Sequence, residues 1–480
     1  MRLKRLWLAD YKNLRDVEIE FRGSETTILL GQNGTGKSNL LEALVEIFAA
    51  LYRAEMPDFE TDLTYTCHGR DVEIRCRPGV ARGSTVHVDG TRVARSQLKK
   101  RRDELLPRNV FAYYSGPSNR LLDHFQDSQR RFYDALIKQD RGSTELPLRP
   151  LFYAQPVHSQ FVLLANDASV SPKVAEIVNR QLGIEAVESV LFVLRRPEWS
   201  RGGRAATEAK ADRYWGAKGE VRTLLDRIDR IAFAPAGTTE SVRLQFDKPS
   251  RRQERRLLYL PDSAHLGRLV GDYESPRDFF KALESLYISD MLEEVRIRVR
   301  RTDGEQMTFT ELSEGEQQLL TVLGLVAFTG EDESLFLLDE PDTHINPKWA
   351  SEYVRDTSDI LAEADGTHVL MATHDPIIVG EVEREDILLF ELEDPEGGGS
   401  QRVRIHTPIE APQGLGVEGV LTGEFFQLKT TLDRETQRKL EERYELELRQ
   451  RSDNLTEPER ERMRQLADEL EQLGFTSMVR

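Results

Sequence analysis

Cysteine is nearly absent from this chain. Two in 480 residues, Cys67 and Cys76, are too few for a disulfide framework or a cysteine-built zinc site. They point to a reducing, cytoplasmic setting. No apolar run approaches the ~20 residues that a membrane-spanning helix needs, so no membrane is expected. The opening MRLKRLWLADYKNL is basic, without the apolar core or small-residue cleavage site of a leader. Internal repeats and sustained heptads are missing too. Positive charge is in deficit, with a net charge of −17. That excludes a uniformly basic surface for nucleic acid, because phosphates repel an acidic one. Local strips remain: Lys99–Arg102, Arg195–Arg204 and Arg251–Arg256. Each reads first as a solvated helix face. The second has Trp199, Tyr214 and Trp215 nearby, as a stacking surface would.

What is present reads as α/β. RLKRLWLADY and DVEIEF alternate apolar and polar residues at period two around a turn at Lys12–Arg15, which predicts a hairpin. SETTILLGQNGTGKSNLLEALVEIF predicts strand, glycine loop and helix. Further strands are predicted within Asp71–Val93 and at Val110–Gly116. From 117 to 304 helical patterns such as SPKVAEIVNRQLG and RDFFKALESLY dominate, which predicts a mainly helical insertion. After it, buried strands (SLFLLDEP, THVLMATHD, EDILLFELE) alternate with helical stretches, the pattern of a parallel sheet. PEGGGSQ, Pro395–Gln401, reads as a flexible tip. Beyond it, Thr456 and Glu459 form a capping box. Met463, Leu466, Leu470 and Leu473 follow on one face, and Gly474 stands where that helix should stop. With the charged helix before it, this tail predicts a helical hairpin.

Three motifs carry chemistry. GQNGTGKS, Gly31–Ser38, fits the phosphate-loop pattern G-x-x-x-x-G-K-[ST] between a strand and a helix. Asn33, Gly34 and Gly36 would bring backbone N–H groups to phosphate oxygens, Lys37 would reach the β- and γ-phosphates, and Ser38 would ligate Mg²⁺. LFLLDEPD puts Asp339 and Glu340 at the end of a buried strand: Asp339 to hold Mg²⁺, Glu340 to orient and deprotonate water. THD puts His374 at the end of the next strand, on the ligand-binding edge of a parallel sheet. LSEGEQQ, Leu312–Gln318, is harder to read. Ser313 and Glu316 make a capping box, yet Gly315 and a glutamine pair are odd company for one.

Together these pieces resemble the ABC-type ATPases. In that family a serine-glycine-glutamine signature opens a helix and binds the γ-phosphate held by the other subunit. The resemblance assigns Ser313, Gly315 and Gln317 to a partner's ATP, and Asn39, beside Ser38, to its own. It also makes PDTHINP, Pro341–Pro347, the loop after the Asp-Glu pair. Lys37 and Ser313 lie 276 residues apart, a wide gap that resembles the SMC/RecF-like branch, as does the opening hairpin. YYSGPSNRLLDHF, PDTHINP and GVEGVLTGEFFQLKTTLDRETQ are similar to the ATPases of Septu-type anti-phage systems, which work with an HNH nuclease. No nuclease signature stands in this chain. One departure is that Ser115 occupies the place where the family has a nucleotide-sensing glutamine; Gln126, Gln155 and Gln160 come later.

The expected fold is therefore an ABC-type ATPase head, a mixed sheet with a phosphate-loop core, interrupted by a mainly helical insertion and followed by a helical appendage. The expected boundaries are 1–116 (head N-lobe), 117–304 (insertion), 305–395 (head C-lobe) and 396–480 (appendage, a candidate docking surface). The expected function is slow ATP hydrolysis with Mg²⁺ in a homodimer or higher oligomer joined through its heads, regulating an HNH-type nuclease, with DNA or another nucleic acid as a candidate partner. The rivals are a RecF-like repair ATPase and a nucleotide-locked scaffold with little turnover.

Overall fold

The computed structural model describes residues 1–22, 25–80, 83–116, 120–138, 150–165, 172–202, 212–242, 250–329, 333–361, 366–393, 401–451 and 455–475. The chain forms two compact units, Met1–Gln413 and Gly414–Arg480.

The opening hairpin forms as its period predicts. β1 (Arg2–Tyr11) and β2 (Leu14–Glu20) pair antiparallel, with Tyr11 opposite Leu14. They join β4 (Thr61–Cys67), β5 (Arg70–Cys76), β6 (Thr85–Val88) and β7 (Thr91–Val93) in an antiparallel sheet ordered β2-β1-β4-β5-β6-β7. Between them, β3 (Thr26–Gly31) starts the second sheet. It continues with β8 (Asn109–Tyr114), β9 (Leu151–Tyr153), β15 (Ser334–Asp339), β16 (His368–Ala372), β17 (Ile387–Glu393) and β18 (Arg402–His406). The order is β18-β17-β3-β16-β15-β8-β9, and every pairing but β17 with β18 is parallel. β3, β15 and β16 are buried throughout, which is why they read as continuous apolar runs rather than alternations. The phosphate-loop helix Lys37–Tyr52 lies in the same core, with Leu40, Leu41, Leu44, Ile47 and Phe48 fully buried.

The insertion departs from expectation. Helices Arg120–Lys138, Val157–Ala165, Pro172–Leu182, Gly219–Ile231, Ser263–Val270 and Pro276–Ile288 are present. They share the segment with a five-stranded antiparallel sheet: β10 (Ile184–Arg195), β11 (Phe233–Val242), β12 (Arg251–Leu260), β13 (Leu292–Arg301) and β14 (Gln306–Thr308), ordered β11-β12-β10-β13-β14. Helices still hold the larger share of the described residues of 117–304, so the mainly helical reading stands but omits this sheet. Its central pairing, β10 with β13, joins strands far apart in sequence, and local periodicity does not report such partners. RRQERR belongs to β12, so it is a strand and not a helix face. The supposed stacking aromatics are structural: Tyr214 and Trp215 are buried, and Trp199 donates Nε1–H to the Ser289 carbonyl at 2.8 Å.

β18 also moves a boundary, since it pairs with β17 in the core sheet and the first unit runs to Gln413. The second unit is the expected helical hairpin, Arg434–Arg451 against Glu457–Gln472, with the Thr456–Glu459 capping box in place and Gly474 at φ 88°. Leu466 and Leu470 are buried, whereas Leu473 is exposed. Apart from Gln401, the tip expected at Pro395–Gln401 lies outside the described residues. No helix among the described residues is long and apolar enough to cross a membrane.

Candidate nucleotide site

Parallel strands that end at one edge bring their C-terminal residues together. β3 delivers the loop Gly31–Gly36, β15 delivers Asp339 and Glu340, β16 delivers Thr373 and His374, and β8 delivers Ser115. The loop is held from below by the opening hairpin. Asn13 donates its amide to the Gly34 carbonyl at 2.8 Å and accepts from the Asn39 amide at 2.6 Å. Gly36 has φ 104°, and a Cβ there would sit 2.7 Å from the Asn13 amide oxygen. Only glycine combines that backbone with that neighbour. Asn33 is exposed at the loop.

Lys37 is 6% exposed and folds its ammonium onto the Gly31 and Gln32 carbonyls at 2.7 and 3.2 Å. Burial lowers its pKa to about 8, while the charges of Asp339 and Glu340 hold it up. Asp339 is 1% exposed, and its Oδ2 has no hydrogen-bond partner. Burial raises its pKa, and a hydrogen bond with Ser38 pulls the other way. A buried carboxylate oxygen without a partner is costly. Beside a serine hydroxyl it is a fitting donor set for a hard cation such as Mg²⁺. Glu340 follows at φ 52°, in the left-handed region where a non-glycine residue is strained. Its N–H donates to the Ala372 carbonyl at 2.9 Å, which ties β15 to β16, and its carboxylate is part-exposed toward the site. His374 Nε2 lies 3.6 Å from Glu340 Oε1. Burial, then the Lys37 charge, lowers the pKa of His374 against the pull of Glu340, so it stands neutral at pH 7, able to donate or accept.

The signature is resolved residue by residue. Ser313 N–H and Oγ donate to Glu316 Oε2 at 2.7 and 2.9 Å, and Glu316 N–H returns to Ser313 Oγ at 3.3 Å. Arg301 adds a bond to Glu316 Oε1 at 3.0 Å. The Gln317 amide folds onto the Leu312 carbonyl at 2.9 Å. A Cβ on Gly315 would lie 2.2 Å from the His344 carbonyl oxygen, so the glycine lets the loop after β15 pass over the helix start. The glutamates beside it divide: Glu316 is consumed by the cap and Arg301, and Glu314 points outward near His344 Nε2 at 3.6 Å.

Sequence reasoning missed three groups. Gln318, 4% exposed, donates to the Glu340 carbonyl at 3.3 Å and joins the signature helix to the strained residue. Arg120 opens the insertion's first helix, bonds both Asn39 and the fully buried Glu42, and is one of the charges felt by Asp339. It reaches the first turns of the helix Lys37–Tyr52 from the insertion. Gln155 instead takes the Tyr287 hydroxyl at 2.5 Å, Gln126 turns to Asp123 at 2.6 Å, and Gln160 lies on the helix Val157–Ala165. Ser115 donates its N–H to the Asp339 carbonyl at 3.3 Å and meets Thr343 through its hydroxyl at 3.0 Å. Arg120 stands inside YYSGPSNRLLDHF, one of the segments that carry the resemblance, but nothing in that segment assigned it a role.

Asp342 is the third. It is buried, with Oδ2 accepting from Thr373 at 2.7 Å and Oδ1 unpartnered. Burial raises its pKa from 3.8 to about 6. The folded chain therefore holds this proton more tightly than the unfolded one. The resulting stability is full below about pH 4 and is lost as pH rises through 6. Asp342→Asn keeps an oxygen for Thr373 and removes that loss. The variant should gain up to about 3 kcal/mol over wild type at pH 8 and little near pH 4, read from urea-unfolding midpoints.

Residues 96–380 match the family described as "AAA domain, putative AbiEii toxin, Type IV TA system", and residues 1–128 match a second AAA-domain family. The chain is similar to the Septu protein PtuA of Bacillus mycoides, 27% identical over 214 residues, 41% of this chain and 28% of that protein. It is similar to the retron Vc95 probable ATPase of Vibrio cholerae, 20% identical over 438 residues, 88% of this chain and 78% of that protein. The matched stretch thus spans little more than a quarter of the Septu protein's length. Among solved structures, the SMC head domain from Thermotoga maritima aligns with 85% of this chain and 100% of that one, at 14% identity and a TM-score of 0.36.

Proposed function

This chain belongs to the AAA-domain family that its residues 96–380 match, and from that premise we propose that it is a Mg²⁺-dependent ATPase of an anti-phage defence complex. One observation carries the ATPase part: the meeting of Lys37, Ser38, Asp339, Glu340 and His374 at the edge where the parallel strands of one sheet end. In this reading Lys37 leaves the carbonyls of its own loop for the β- and γ-phosphates. Ser38 and Asp339 hold Mg²⁺, which would neutralise charge on the phosphate oxygens. Glu340 takes a proton from the attacking water, and neutral His374 donates to the γ-phosphate. Asn33, Gly34 and Gly36 supply backbone N–H groups to the phosphates, and Asn39 keeps the loop registered on Asn13.

The heads pair in this proposal, with Ser313, Gly315 and Gln317 closing a partner's site. Supporting it, the contacts of this segment run to Leu312, Arg301 and the loop 340–344, not to the phosphate loop of the same chain. The helix start still has N–H groups to offer an outside anion. The defence role rests on similarity to the Septu protein and the retron ATPase. Nuclease cutting is assigned to a partner of HNH type, and the Gly414–Arg480 unit is its proposed dock. Turnover is slow in this reading, with Arg120 in place of the sensing glutamine.

The test is phosphate release from ATP by the purified chain, with Mg²⁺ and with chelator, alongside nucleotide binding. Mg²⁺-dependent release is expected. Tight ATP binding with no release would replace hydrolysis by the scaffold reading.

A further inference from the structure

The sheet β11-β12-β10-β13-β14 has two unlike faces. One is packed under helices: Val190, Phe192 and Leu194 of β10, Leu258 and Leu260 of β12, and Val295, Ile297 and Val299 of β13 are buried. On the other face, side chains alternate outward. Phe233 is 67% exposed and Tyr259 38%, and the two are cross-strand partners. Tyr259 pairs in turn with Leu191, and Leu191 with Arg296. Phe233, Tyr259, Leu191 and Arg296 therefore form one row across four strands, about 4.8 Å apart at each step. Along β13 the same face continues with Arg298 and Arg300, both exposed.

Two exposed aromatic rings side by side on a sheet are unusual, since large apolar groups on a free face favour association. Charge indicates what covers them. In a chain of net charge −17, these five strands hold nine arginines against six glutamates and no lysine. Arg296 pairs with Glu294, and Arg300 with Glu185 and Glu188. Arg298 has no ion pair among the described residues. Exposed pairs of this kind hold weakly, so their guanidinium groups can exchange carboxylate for phosphate, which they grip in two-pronged fashion.

We propose that this face binds single-stranded nucleic acid, with bases stacked on Phe233 and Tyr259 and the backbone held by Arg296, Arg298 and Arg300. Single strands are specified because rings can stack only on bases freed from a duplex. A protein partner is disfavoured, because every outward position from Arg296 to Arg300 carries a full charge and desolvating three arginines costs more than one aromatic pair returns. None of these residues belongs to the ATP site, so the inference goes beyond the ATPase reading and is measured without nucleotide.

The test is fluorescence anisotropy of the full chain with labelled 20-mers of dT and of U, and with a DNA duplex, across a salt series. Wild type should bind at least one single strand more tightly than the duplex, and the better of dT and U assigns DNA or RNA. The double variant F233A/Y259A should weaken binding about 10- to 100-fold. Arg298→Glu should weaken it less and flatten its salt dependence. Both variants should keep wild-type ATP binding, which shows that they fold. The proposal is overturned if wild type ignores both single strands, if it binds duplex equally well, or if F233A/Y259A leaves affinity unchanged. Sites for protein would also be indicated if the double variant altered only self-association.

Discussion

Glu340→Gln should cut phosphate release by about 10²- to 10⁴-fold, the usual loss when a general base is removed, and leave Mg²⁺-dependent ATP binding in place. Its position supports that size of effect. Asp339 is sealed in the core, whereas Glu340 presents a part-exposed carboxylate at the strand end, where water can reach it. Its backbone is fixed by the bond to Ala372 and by Gln318. Glutamine keeps shape and backbone angle, and loses only the ability to accept a proton. Binding survives because Lys37, Ser38 and Asp339 are untouched. One side effect has a definite sign. Glu340 helps keep Lys37 protonated against burial, so the variant's lysine should lose its proton at lower pH and its ATP affinity should fall off earlier on the alkaline side. Single-turnover release, with retained nucleotide measured by filtration, separates chemistry from binding. A variant holding more than about a tenth of wild-type rate would show that another group activates the water.

Much of this site was legible in the sequence because its parts are contiguous. A glycine loop between strand and helix, or Asp-Glu after four apolar residues, declares itself within ten positions. The caps were legible for the same reason: Ser313 with Glu316 and Thr456 with Glu459 are local hydrogen bonds, and both formed. What was not legible depends on distant partners. β10 pairs with β12 and β13 across long intervals, and the arginines on these strands imitate a solvated helix. Arg120 acquires its place only when the insertion folds back on the helix Lys37–Tyr52. Gly315 is the instructive case. The family pattern explains it by a phosphate, yet the His344 carbonyl already requires it within the same chain. The glycine is thus accounted for by this chain's own packing, before any phosphate is invoked.

Ser313→Arg should abolish ATP-dependent pairing of heads while sparing ATP binding by each chain. In the folded chain Ser313 is exposed, and its hydroxyl serves only its own cap. Arginine at that point removes the cap, at about 1 kcal/mol, and fills the space where a second head and its γ-phosphate would approach. Ser313→Ala is the control, because it removes the cap without the bulk. Light scattering with Mg²⁺ and ATP, on chains also carrying Glu340→Gln to prevent turnover, should give dimers or larger assemblies for Ser313→Ala and monomers for Ser313→Arg. Hydrolysis offers a sharper discrimination. Ser313→Arg alone and Lys37→Ala alone should both be inactive. Mixed one to one, they form pairs in which the intact Lys37 of one chain faces the intact Ser313 of the other. Each mixed pair has one complete site and one seam still blocked by arginine, so activity should return measurably but stay below about a quarter of the wild-type level, the share that unhindered random pairing would give. If Ser313 served the ATP of its own chain, no mixture could restore anything.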